Sequence, residues 1–200
     1  MIENAKTGLE VLLDSTTDKA LMMKVKDGDL DKLGLLFERY NRPLYSFFYR
    51  KTFESQLSED LVQSVFERML KYRTTYSGTG AFTTWMFSIA RNAHIDHYRK
   101  EKRRKEDEIL DEERIASDAP TGYMEMDERH QKKVLLEKAL EQLDEDKKEV
   151  VLLSRFEGLK YHEIAEIQGV SESAIKVRMF RAMKDLKQIV TTLSEEYSHE

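Results

Sequence analysis

Between Tyr161 and Ile189 the chain reads YHEIAEIQGVSESAIKVRMFRAMKDLKQI, and the spacing inside this stretch leaves little choice of fold. Apolar residues at helical intervals stop at Gly169 and resume after Ser171. Ala165 lies four residues before Gly169. A second helix crossing close over the first needs a small side chain at the former position. The turn needs a residue tolerant of positive φ at the latter. Ser171 suits the N-cap of the second helix. Ile164, Val170 and Ile175 are placed to fill the small core between the two. The pattern predicts a helix-turn-helix, although an ordinary helical hairpin shares part of it. At 100° per residue, Ile175, Met179, Ala182, Leu186 and Ile189 share the core face of the second helix. The opposite face carries Ser173, Lys176, Val177, Phe180, Arg181 and Lys184. Its cations suit phosphates. Val177 and Phe180 are apolar yet turned outward. Thymine methyl groups in a major groove, or another part of the same protein, would cover them.

The rest of the chain is patterned for helices too. Only 2 of 200 residues are Pro and 8 are Gly, which favours helix over sheet. A first segment runs from about Asp18 to Lys105. Gly28 and Asp29 break an opening helix. The next helix carries Leu33, Leu36, Phe37, Tyr40, Leu44, Phe47 and Phe48 as a packed stripe, and Pro43 inside it should kink it or divide it. Ser58 is the expected N-cap of a third helix, with Leu57 and Val62 at hydrophobic-staple spacing. Val62, Val65, Phe66 and Met69 form its buried face, so Asp60, Gln63, Ser64 and Glu67 point outward. The glycines and hydroxyls of RTTYSGTGA, Arg73 to Ala81, require a loop. A long helix follows from about Phe82, with Phe82, Trp85, Met86, Ile89 and Ala93 on its packed side. In a second segment, Val134, Leu135, Leu136, Ala139, Leu140 and Leu143 mark one helix. Asp144 is a candidate N-cap for another, which carries Val150, Val151, Leu153 and Phe156. Gly158 should end that one in a left-handed conformation.

Charge divides the chain further. His97 to Lys105 holds six basic residues and one acid, a net of +5, whereas Glu106 to Gln131 holds ten acids and two basic residues, a net of −8. The acidic stretch loses its apolar pattern and includes SDAPTGY, so a flexible linker is expected there. The basic helix end lies near Tyr76, Phe82, Trp85 and Tyr98, and aromatics beside a cationic surface can stack exposed bases. His94 and His97 could share a helix face, but nothing nearby completes a metal site. There are no cysteines, which excludes disulfides, thiol catalysis and Cys-ligated metals. No signal peptide or membrane-length apolar run is evident, so no membrane insertion and a cytoplasmic location are expected. No cofactor or metal, and no catalytic constellation, is expected.

Taken together, the segments resemble the extracytoplasmic-function class of bacterial sigma factors. SEDLVQSVFERML, Ser58 to Leu70, resembles that family's polymerase-binding helix. FTTWMFSIARNAHIDHYRKEKRR resembles its promoter-melting, minus-ten-reading helix. LDEDKKEVVLLSRFEGLKYHEIAEIQGVSESAIKVRMFRAM resembles its minus-thirty-five-reading module. The resemblance implies an all-α chain of two small helical domains. After a tail over 1–17, a region-2-like domain spans 18–105. An acidic linker spans 106–129, and a region-4-like helix-turn-helix domain spans 130–196. It implies that Asp60, Gln63, Ser64 and Glu67 bind the clamp helices of the largest subunit of core RNA polymerase. It assigns Tyr76, Ser77, Thr79, Arg91, Asn92, Asp96, Arg99, Lys100 and Arg103 to the minus-ten element and its melted non-template strand. It assigns Ser171, Ser173, Lys176, Val177, Arg178, Phe180, Arg181 and Lys184 to duplex at the minus-thirty-five element. An anti-sigma factor is a further implied partner. Gln168 departs from the usual buried aliphatic residue of such turns, and Lys160 from the usual Ser or Thr cap. The rivals are a helix-turn-helix regulator acting without polymerase, for which dimerisation on palindromic DNA would speak, and a metal-dependent nucleic-acid enzyme.

Overall fold

The computed structural model describes residues 17–108 and 128–198, with side chains over 17–104 and 131–195. Nearly all of the expected tail and most of the expected linker lie outside these. Every regular element among the described residues is helical.

Helix α1, Asp18–Lys26, starts where the Ala20 N–H donates to the Thr17 hydroxyl at 3.2 Å. It stops before Gly28, whose φ of +108° suits glycine. Helix α2, Lys32–Thr52, continues for 21 residues with Pro43 inside it. Of the kink or division expected there, the division does not occur. Proline costs a helix about 3 kcal/mol, and burial of Leu36, Leu44, Phe47 and Phe48 on one face, at roughly 1.5–3 kcal/mol each, outweighs that. Phe53 closes α2 in a left-handed conformation at φ 57°.

Helix α3, Ser55–Lys71, begins three residues before the expected cap. The chain turns out of extended geometry at Glu54, directly after α2 ends. Ser58 therefore sits inside the first turn, buried, its hydroxyl donating to the Glu54 carbonyl at 2.6 Å. It caps nothing, and Leu57 and Val62 are not a staple. After a 3-10 turn at Arg73–Thr75 and a loop, α4 covers Phe82–Glu108. Helices α1 to α4 share a core that includes Leu21, Met22, Phe47, Val65 and Met86.

The second half contains α5, Glu128–Glu141, and α6, Glu145–Val151, which widens into a π-turn at Leu152–Phe156. Asp144 stands at the N-cap of α6 without a side-chain hydrogen bond. Gly158, at φ 71°, lets the Leu159 N–H return to the Leu153 carbonyl at 3.0 Å. Helices α7, Tyr161–Gln168, and α8, Glu172–Ser198, form the helix-turn-helix. Gly169 has φ 67°, and the Ser171 hydroxyl accepts from the Ala174 N–H at 3.2 Å. Lys160 has no side-chain acceptor. Instead, its backbone N–H donates to the Glu163 carboxylate at 2.7 Å. Ile164 and Ile175 are fully buried, but Val170, expected in the core, is 36% exposed, because the turn swings it outside the crossing. The two halves pack together: α2 meets α5, α6 and the π-turn, and α4 meets α7.

Candidate nucleic-acid and protein interfaces

The core face of α8 is as the periodicity requires: Ile175, Met179, Ala182 and Leu186 are buried, with Ile189 packed at their edge. Ser173, Lys176, Val177, Phe180, Arg181 and Lys184 are all exposed. Val177 is 50% and Phe180 73% exposed among the described residues. Ser173, Val177, Phe180 and Lys184 fall within an arc of about 60°. Lys176 lies on one flank of this stripe and Arg181 on the other. An apolar centre between cationic flanks matches a groove floor between two phosphate walls. Lys176 is held by Glu172 at 2.7 Å.

Arg178 does not join this stripe. It is half-buried, donates to the Gln168 side-chain oxygen and lies 3.6 Å from Asp146. Ser171 commits its hydroxyl to the cap.

On α3, Asp60, Gln63 and Glu67 are exposed and Ser64 is half-buried. Gln63 donates to Glu67 at 3.0 Å and Gln56 to Asp60 at 3.3 Å, which lays a polar ridge along the helix. Beside it, α2 and α3 enclose an open groove lined by Phe37, Tyr45, Val62 and Phe66. Phe37, expected in the core stripe, is 46% exposed, its ring centre 4.9 Å from that of Phe66. Leu36 takes the inward position. Its neighbour is rotated by about 100° and falls at the groove edge. That offset was the available signal.

The loop before α4 brings together only part of its expected set. Ser77 and Thr79 are exposed and hydrogen-bond each other at 2.6 Å. Tyr76 is 1% exposed, its ring 5.0 Å from Trp85 and 6.3 Å from Phe82. An aromatic surrounded by aromatics offers no face to a base, so Tyr76 is a core residue here. Its carbonyl accepts from Lys26 at 2.6 Å. Along α4, Asn92, Arg99, Lys100 and Arg103 are exposed, and Tyr98 is 66% exposed. Asp96 holds Arg68 at 2.7 Å. Arg91 is half-buried and donates from Nε to the Glu149 carboxylate at 2.9 Å. At His94, burial, reinforced by the charge of Lys51 and opposed by Glu145 and Glu149, pushes the imidazole down to about 4. Among the described residues no cluster of His, Cys, Asp and Glu is arranged to hold a metal, and no helix is long and apolar enough to cross a membrane.

Comparison with known proteins finds two matching family models, Sigma-70 region 2 over residues 36–104 and Sigma-70 region 4 over residues 133–186. The RNA polymerase sigma factor CarQ of Myxococcus xanthus is 30% identical over 175 residues, covering 88% of this chain and 98% of CarQ. The ECF RNA polymerase sigma factor SigF of Caulobacter vibrioides is 31% identical over 176 residues, covering 85% of this chain and 92% of SigF. Among solved structures, the sigma factor RpoE in complex with the anti-sigma factor NepR from Bartonella quintana has a similar fold. Its TM-score is 0.64 at 23% identity, over 79% of this chain and 96% of RpoE.

Proposed function

This chain belongs to the extracytoplasmic-function class of sigma-70 factors, and from that premise we propose how its surfaces divide the work of starting transcription. The α3 ridge of Asp60, Gln63 and Glu67, with the groove beside Phe37, docks the clamp helices of core RNA polymerase. Ser64, half-buried at its edge, supports that ridge. The exposed loop hydroxyls of Ser77 and Thr79 and the outer face of α4 hold the melted non-template strand at the minus-ten element. Asn92, Arg99, Lys100 and Arg103 supply that face, and Arg91 joins it once free of Glu149. The outer face of α8 enters the major groove at the minus-thirty-five element. There Lys176 and Arg181 meet phosphates, while Val177 and Phe180 meet base edges. The protein does no bond-breaking of its own. Polymerase carries the chemistry, and the sigma factor supplies position and strand opening. An anti-sigma factor that covers these faces is the regulatory partner the family points to.

The observation that carries this division is a shared one. Each of the two family-matched regions turns outward a helix face that the fold does not need for its own packing. One is the polar ridge of α3 and the other the apolar-centred basic stripe of α8. A regulator acting alone would leave the first face without a purpose.

The test is co-purification with core polymerase, followed by run-off transcription from genomic fragments. The chain should join core enzyme and direct it to discrete start sites. Asp60→Ala with Gln63→Ala should weaken the association about tenfold or more and leave helical content unchanged, because both side chains are exposed. A chain that neither binds core enzyme nor starts RNA synthesis on any fragment would overturn the assignment.

A further inference from the structure

The open groove between α2 and α3 has a candidate occupant within this same chain. Val62 and Phe66 floor the groove from α3, and Phe37, 46% exposed, stands over them from α2. Asn41, Arg42 and Tyr45 continue the α2 wall, and Glu59 and Glu67 stand on the α3 side. An apolar floor with a half-exposed phenyl ring gains from whatever covers it.

Residues 1–16 precede the described part of the chain and read MIENAKTGLEVLLDST. Four of the five residues from Leu9 to Leu13 are apolar, with Glu10 among them and Asp14 directly after. Leu9, Leu12 and Leu13 have the spacing that shares one helix face. The run is far too short to cross a membrane, and apolar side chains in that number need cover elsewhere.

The place where the tail joins the fold suits the groove. Asp18 is held on α2 by the Arg39 guanidinium at 2.6 Å and by the Tyr40 hydroxyl at 2.5 Å. Those two residues lie between Phe37 and Asn41 of the groove wall, so the tail starts level with the groove. Four steps of extended chain, Thr17 back to Leu13, reach about 13 Å, and a helix is about 10–12 Å across. Leu13 can therefore pass α2 and bring Leu9 to Leu13 along the groove. Charge fixes how the run lies. Glu59 and Glu67 repel Glu10 and Asp14 from the α3 side, whereas Arg42 attracts them to α2.

We propose that Leu9 to Leu13 seats in the α2–α3 groove of the free chain and competes there with core polymerase. A tether this short gives the run an effective concentration in the millimolar range, so even a weak contact is well populated. Polymerase must displace it, and the apparent affinity falls by the fraction of chains whose groove is empty. Seating is a property of the free chain. The competition rests on the groove's role proposed above.

The chain has no cysteine, so paired cysteines report seating directly. Glu10→Cys with Asn41→Cys places one thiol beside the run and one on the groove wall. Glu10→Cys with Leu35→Cys is the control, since Leu35 is exposed on α2 outside the groove. In dilute free protein under mild oxidant, the groove pair should close about tenfold faster than the control. Adding Leu9→Ser, Leu12→Ser and Leu13→Ser should bring the groove pair down to the control rate. In the otherwise unaltered chain those three serines should tighten binding to core polymerase about tenfold, with the same helical circular dichroism. Removal of residues 2–16, which keeps the Thr17 cap of α1, should tighten it equally. Equal closure of the two pairs would overturn the seating, as would disulfides that form between chains, which would give the groove to a second copy. Fast closure with no gain in polymerase affinity in either tail variant would overturn the competition. Failure of every version, parent included, to bind core enzyme would instead count against the assigned function, and the closure rates would still decide where the run sits.

Discussion

Single side chains in this molecule are legible by what they lack. Phe180 lacks cover: a phenyl ring 73% exposed in the middle of a helix is unfavourable in water and gains only from a partner. If that partner is a row of thymine methyls, replacing thymine by deoxyuridine in the minus-thirty-five duplex removes it without touching any hydrogen bond. Each methyl is worth about 0.8 kcal/mol, or roughly fourfold in affinity. Holoenzyme should lose about that factor per methyl contacted, and Phe180→Ala should be indifferent to the replacement. Equal sensitivity in both proteins would assign the ring elsewhere. Glu157 lacks water: burial pushes its carboxyl up to about 7 against a smaller opposing effect of Arg50. A raised carboxyl contributes stability below its unfolded value of 4.5 and loses it as pH rises through about 7. His94 runs the other way. Its stability is present above 6.5 and is lost as pH falls toward about 4. Thermal stability should therefore fall on both sides of a mildly acidic optimum. Glu157→Gln should flatten the alkaline side alone. Allowing for solvent screening, the gain at pH 8 should be about 2–4 °C in Tm, and an unaltered alkaline limb would show that the carboxyl is already hydrated.

At the scale of elements, the turn between α7 and α8 depends on one backbone angle. Beyond Gly169 and its chain neighbours, no described atom lies within 4 Å of where a Cβ on it would sit, so crowding does not explain the glycine; its φ of +67° does. Gly169→Ala should cost about 1–2 kcal/mol, seen as a lower Tm with the helical signal intact, and a larger loss would mean that the crossing itself had moved. This turn was readable from the sequence because everything that specifies it is local: Ala165, Gly169, the Ser171 cap and the period of α8 lie within a few turns of one another. The outward residues of α3 and α8 were readable for the same reason. What failed were competitions between neighbours. Ser58 has the chemistry of a cap, but the end of α2 at Phe53 set the start of α3 earlier. Pro43 can kink or divide a helix, and the aromatic core beneath it excluded the division. Tyr76 has the chemistry of a stacking platform, but Phe82 and Trp85 took its ring inward. Gln168 looked like a flaw in the small core. It is a ligand of Glu149, and no local pattern announces a partner 19 residues away on another helix.

For the whole molecule, local charge and net charge act against each other. The +5 block at the end of α4 and the basic stripe of α8 attract phosphate, while a net charge of −5 repels DNA at distances beyond direct contact. Ten of the acids fall between Glu106 and Glu128. Replacing those ten with Gln removes ten negative charges and takes the formal charge from −5 to +5. If the acids serve to keep the free protein off arbitrary duplex, the variant should bind non-specific DNA more tightly at 50 mM salt and lose the gain by about 200 mM, since screening shortens the Debye length to ~8 Å or less. Selective initiation at promoters should fall as the extra non-specific sites compete. Lys176→Ala or Arg181→Ala in the same background should each flatten the salt slope by about one unit, because those cations make the contacts and the acids only oppose the approach. Binding that is unmoved by the ten replacements would mean that the field of the chain does not keep the free protein away from DNA.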